Sequence, residues 1–209
     1  TIEQSDIESK KADIERINKE RKEALSKADT PKLKSFERLS NLIGKPFNEL
    51  SGNDVNESNA VNVLNEIYRI RKNGGLTDSE SRRLQRLEDA AKSIGFEIID
   101  PIGKKFDYRD TIDVVNFVEG TSSVSIDRVI TRVVRPQVNK NGVLEQRAQV
   151  DVMQSATEEE IDNEINKFKE DSISKRKDKI NAKYDAELAA LESTEIQEKE
   201  EVKTETLLD

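Results

Sequence analysis

Cysteine, histidine and tryptophan are all missing from this chain. Without cysteine no disulfide can hold the fold, so the protein does not depend on an oxidising compartment. Without thiolate and imidazole, the usual zinc and haem sites are excluded. Without histidine, the commonest general acid–base group and the familiar nucleophile–base arrangements are excluded too. Aromatic residues make up only 4% of the chain, and methionine occurs once. No apolar run approaches the ~20 residues of a membrane-spanning helix. The opening TIEQSDIESKK is polar and lacks a signal-peptide pattern, and Thr1 fits removal of an initiator methionine. Gly74-Gly75 lacks the spacing of a phosphate-binding glycine loop. These absences argue for a non-catalytic cytoplasmic protein without metal or cofactor.

What is present is charge. Of 209 residues, 37% are charged and 33% apolar, against roughly 25% charged and 45–50% apolar (glycine included) in globular domains. The core must therefore be thin, with much of the chain as solvated helix surface. The net charge of −8 repels nucleic acid and anionic membrane unless positive charge is segregated, so neither is expected as a partner.

Periodicity divides the chain. Residues 1–28 read as a charged helix with a narrow seam of Ile7, Ile14, Ile17 and Ala24, the pattern of a coiled coil or a docked helix. Thr30-Pro31 starts a second helix, and residues 31–95 read as a short helical bundle. Its faces are Leu33, Phe36, Leu39 and Ile43, then Val63, Leu64, Ile67 and Ile70, then Leu84, Leu87, Ala91 and Ile94. Thr77 and Glu80 have the spacing of a capping box, and Gly95 sits where a left-handed helix cap is expected. From Phe96 the period changes to two, and 96–154 reads as a small β domain. Strands are expected at Phe96–Ile99, Val114–Val118, Val124–Val134 and Val143–Met153, with an Asn141-Gly142 hairpin turn. Thr157 and Glu160 form a second capping box, opening one long helix over 157–192. Its seam of Ile161, Ile165 and Phe168 shifts before Ile173, Ile180, Tyr184, Leu188 and Leu191. Residues 193–209 are an acidic tail expected to be disordered without a partner. The fold class is α+β: long coiled-coil-like helices and a short bundle flank a small, mostly antiparallel β domain.

Arg128, Arg132, Arg135 and Arg147 gather in or beside the β domain. Alternation puts Arg128 and Arg132 on one strand face and Arg135 on the other. They read equally well as a positive patch for an acidic protein partner or as edge-strand residues that discourage aggregation. Asn141 and Gly142 at the hairpin turn complete the candidate partner-binding set. The thin seams of the first and last helices can pair with each other, with a second copy or with another protein. Self-association or docking is favoured over helices that merely pad a monomer, through Ile7, Ile14, Ile17, Ile180, Tyr184 and Leu188, because the stripe would otherwise stay wet. The carboxylates, such as Asp110 and Asp113, read as a solvated surface rather than as a site.

From Leu84 to Met153 the chain resembles the C-terminal half of the GrpE family, the nucleotide exchange factors of DnaK-type chaperones. Leu87, Ile94, Gly95 and Ile99 match the family's helix exit. Gly103, Phe106 and Asp107 match its Gly-x-x-Phe-Asp motif. Val129, Val133, Val134, Asn141, Gly142, Leu144, Arg147, Ala148, Val150 and Val152 match its β strands. The chain departs from the family at Tyr108 to Asp113, at Gln137-Val138 and at Val143. It also departs in its interrupted N-terminal helix and in its long C-terminal helix.

The resemblance implies a co-chaperone whose β domain enters an ATPase cleft and stabilises the nucleotide-free state, with Arg135, Asn141, Gly142 and Arg147 as contacts. The alternative is a structural component of a large assembly, such as a phage virion or a head-tail connector ring. There the β domain docks neighbouring subunits, and the location is the virion. On either reading the partner is a protein and the chain forms homo-oligomers.

Overall fold

A computed structural model describes the backbone of residues 2–122, 127–170 and 173–205, and the side chains of residues 7–122, 127–168 and 173–193. The described residues form an α+β fold with six α-helices and six strands. In chain order these are α1 (Ile2–Ala28), α2 (Thr30–Ile43), α3 (Ala60–Asn73), α4 (Asp78–Ser93), β1 (Phe96–Ile99), β2 (Ile112–Glu119), β3 (Val129–Arg135), β4 (Gln137–Lys140), β5 (Val143–Gln146), β6 (Ala148–Gln154), α5 (Glu158–Glu170) and α6 (Ile173–Glu205).

The chain divides into two compact units. The larger runs from Pro31 through α5. Its helical core holds Leu39, Val63, Leu64, Ile67, Ile70, Leu84 and Leu87, each wholly shielded from solvent. These positions recur at three and four residues, so each helix turns one apolar stripe inward. Leu33, expected on the inner face of α2, is exposed. Lys32 takes a buried position nearby, because its ammonium reaches the Gly75 carbonyl at 2.9 Å and the Glu80 carboxylate at 3.2 Å. Both capping boxes are formed: Thr77 Oγ1 accepts from Glu80 N while Glu80 accepts from Thr77 N, and Thr157 and Glu160 exchange the same pair.

The strands make two three-stranded sheets, ordered β1-β4-β5 and β2-β6-β3. All pairs are antiparallel except β2 with β6. Residues 143–153, expected as one strand, are two, and they belong to different sheets. The long hairpin bends at Pro136 on one arm and Arg147 on the other. Its tip (β4–β5) joins β1, and its base (β3–β6) joins β2. Proline lacks the N–H that a continuous ladder needs, and the Gln146 side chain donates to the Pro136 carbonyl at 2.8 Å, which ties the two corners together. The expected strand over 124–134 is described from Val129 to Arg135, and residues 123–126 lie outside the described residues.

The bundle and the β strands share a core. Phe96 of β1 and Val138 of β4 pack with the helical cluster. A second cluster of Ile130, Val133, Ala148, Val150 and Val152 lies on one face of the β2-β6-β3 sheet. A third joins Met153 and Ala156 to Ile161 and Ile165 of α5.

Of the single helix expected over 157–192, Glu158–Glu170 and Ile173 onward are helical, and residues 171–172 lie outside the described residues. Residues 193–205, expected as disordered tail, continue α6 as helix. They are rich in Glu and Lys, residue types that lose little rotamer freedom in a helix.

The smaller unit is the pair α1 and α6. They run antiparallel: Arg21 reaches Asn181 and Asp185, while Asp29, further along α1, meets Lys177, earlier on α6. Ile17, one turn before Arg21, and Tyr184, beside Asp185, are both buried. Two residues expected to bind a second copy are therefore already covered within this chain. Ile180 and Leu188 are half-buried, and Ile7 and Ile14 are exposed. No described helix is long and apolar enough to cross a membrane.

Candidate functional site

The arginines do not form one patch. A register shift in β3 between Ile130 and Arg132 breaks strict alternation, so Ile130 and Val133, three residues apart, enter the same core. This corrects the reading that Arg128 and Arg132 share a face, because an extra bulge residue inverts every side chain beyond it. Arg128 stacks its guanidinium 4.6 Å from the centre of the Tyr108 ring and donates to Gln154 at 2.9 Å. Arg132 lies on the opposite face, against α5, 4.7 Å from the centre of the Phe168 ring. It donates to Asp151 at 3.3 Å. Arg135 is exposed in a shallow depression beside Arg38, Glu66 and Arg69. Arg147 is exposed at the hairpin bend and meets Asp113 at 3.4 Å.

Asn141 and Gly142 sit at the exposed tip of β4–β5, both with positive φ (50° and 78°). The tip is held. Asn141 N donates to the Gly95 carbonyl at 2.8 Å, and Lys140 pairs with Glu57 at 2.9 Å over the Phe96 ring. Behind it, Asn65 and Gln146 exchange two amide hydrogen bonds of 2.8 Å. Val143 and Val134 remain exposed on the two arms. The result is a braced hairpin with an exposed apolar residue, a polar tip and a cation at its bend.

A second feature was not visible in the sequence. A cleft of about 480 Å³ opens between α3, the β1–β2 turn, β3 and α5, within the range of small-molecule sites. Ile102, Ile165 and Phe168 give it an apolar wall. Arg132 and Lys72 provide its cationic side, and the Lys72 ammonium also donates to the Val133 carbonyl. Desolvation, and then the nearby Arg132 charge, push the Lys72 ammonium below the usual lysine range. Tyr68 donates to Asp100 at 3.0 Å. Burial, and then the Asp100 charge, push the phenol well above its ordinary value, so it stays a neutral donor. Thr131 also lines the cleft. It is 1% exposed, and its hydroxyl oxygen is buried without a hydrogen-bond partner. In the sequence Thr131 reads as one more strand residue and Lys72 as a helix-end cation.

No grouping of carboxylates suited to a metal ion occurs among the described residues. Asp110 and Asp113 are separately engaged, Asp110 by the Asp107 N–H and Asp113 by Arg147.

No family model and no curated protein matches this chain.

Proposed function

We propose that the chain is a non-catalytic protein-binding protein acting as a GrpE-like nucleotide exchange factor, with a DnaK-type chaperone as partner. The braced β4–β5 hairpin carries the reading. It presents Asn141, Gly142, Val143 and Arg147 at an exposed tip and bend, and the Asn141–Gly95 hydrogen bond fixes it to the helix exit. A pre-ordered hairpin loses little conformational freedom on docking, which is what wedging apart two lobes of an ATPase requires. By linkage, the factor by which the hairpin weakens nucleotide binding equals the factor by which nucleotide weakens the complex. Arg135 stands apart from the tip and is the weakest of the proposed contacts. The cytoplasm is the proposed location.

The test is stopped-flow release of a fluorescent nucleotide from a DnaK-type ATPase domain. Acceleration that is lost in the Val143→Glu, Arg147→Glu double variant supports the reading. Absence of acceleration by the unaltered chain ends it.

The α1–α6 pair favours a second reading. The GrpE family dimerises through its N-terminal helix and has no long helix after its β domain. Here part of the α1 seam is covered by the chain's own α6. A subunit of a large assembly, such as a phage virion or connector ring, would use Ile7, Ile14 and the hairpin against neighbouring copies. A monodisperse dimer at all concentrations would exclude this reading.

A further inference from the structure

We infer that the cleft between α3, β3 and α5 binds a small amphipathic carboxylate, with the anionic end at Thr131, Lys72 and Arg132 and the apolar body against Ile165 and Phe168. Three independent features converge on that chemistry. The first is an unmet donor. A buried hydroxyl without a partner is costly; Thr131 lines the cleft, and its hydroxyl oxygen has no partner and is shielded from solvent, so a ligand oxygen would meet it only after a small side-chain rotation. A carboxylate oxygen accepts from a hydroxyl and from cations alike.

The second is charge. Lys72 and Arg132 line the same cleft, and the Arg132 charge disfavours the Lys72 ammonium. The acidic groups nearby are partly committed: Asp151 accepts from Arg132 and Asn116, and Asp100 accepts from Tyr68. Asp100 and Asp151 already favour the Lys72 ammonium, but its hydrogen bond goes to the neutral Val133 carbonyl, and an incoming carboxylate would offer it a charge-assisted one. The third is the wall. Ile102, Ile165 and Phe168 leave an apolar surface too large for a bare phosphate or sulfate to cover, and a ligand gains most of its affinity by burying such surface. The inference does not rest on the exchange-factor reading.

Octanoate is the probe, with 1-octanol as the uncharged control and inorganic phosphate as the control without a tail. Binding to the full-length chain is followed by amide and threonine-methyl NMR shifts. Saturable octanoate shifts at Thr131, Arg132 and Phe168 are expected, with 1-octanol and phosphate at least tenfold weaker. Thr131→Val keeps the shape and removes the hydroxyl, and should weaken octanoate by about tenfold. Lys72→Gln should weaken octanoate by a similar factor and leave 1-octanol unchanged. Equal binding of octanoate and 1-octanol would overturn the anionic end of the site. Equal binding of phosphate would overturn the apolar end. The absence of saturable shifts at these residues in a folded chain would overturn the whole.

Discussion

Asn141 packs its side-chain amide into the space that a β-carbon at residue 95 would occupy. A Cβ built on Gly95 would lie 2.1 Å from Asn141 Oδ1, while the two backbones are joined by the 2.8 Å bond from Asn141 N to the Gly95 carbonyl. The helix exit and the hairpin tip, far apart in sequence, are thus one contact. Gly95 also has φ +91°, where an L side chain is strained.

Gly95→Ala is therefore expected to destabilise the larger unit by about 1–3 kcal/mol. Adding Asn141→Gly should recover the steric part of the loss and leave the backbone strain. Urea unfolding of the four chains of that double-mutant cycle measures the coupling, and additivity would show that the two residues do not press on each other.

Asp151 is 4% exposed and accepts from Arg132 at 3.3 Å and Asn116 at 3.0 Å. Asp151→Ala leaves both donors unmet and should cost about 1–3 kcal/mol, as for a lost buried acceptor. The partial exposure of Arg132 keeps the loss below that of a fully buried ion pair. Arg147→Ala, which removes an exposed pair with Asp113, should cost under about 1 kcal/mol. Chemical denaturation separates the two.

The core makes a sharper contrast. Leu64 is wholly buried between the helices, while Leu33 is 55% exposed. Leu64→Ala should lose about 2–5 kcal/mol through lost burial and a cavity. Leu33→Ala should stay within about 0.5 kcal/mol. Thermal melts rank them.

Acid should loosen the start of α5. Glu160 has its carboxyl held below the ordinary value, first by the Thr121 hydroxyl and then by the Thr157 N–H. A lowered folded-state value means the stabilisation is present above the unfolded value of about 4.3 and is lost as pH falls through the folded one. Amide exchange at Thr121 and Thr157 should therefore quicken as pH drops below about 4.3, after correction for intrinsic rates. Glu160→Ala, which removes the acceptor, should show fast exchange at neutral pH and no added acid step.

In the smaller unit, Ile17→Ala and Tyr184→Ala should each cut the thermal stability of the α1–α6 pair by a few degrees or more, because both side chains are buried. Ile7→Lys with Ile14→Lys should leave that melt nearly unchanged, since both sites are exposed. If copies associate through those residues, the double change should lower the mass in solution, which light scattering reads directly.

Local chemistry was legible in the residues alone. The helices of the bundle follow from apolar residues at three- and four-residue spacing, their starts from Thr77 and Thr157, and the hairpin from Asn141-Gly142. Each of these signals acts within one or two turns of chain, where backbone sterics and capping hydrogen bonds dominate.

Tertiary structure decided the rest. The bulge in β3 sends Arg128 and Arg132 to opposite faces, and the bends at Pro136 and Arg147 divide one hairpin between two sheets. The cleft exists only because α5 turns Ile165 and Phe168 toward Thr131 and Lys72. Residues 59 positions apart, such as Lys72 and Thr131, become neighbours through packing that minimises exposed apolar area over the whole unit. That sum is non-local and directionless, so no window of sequence contains it.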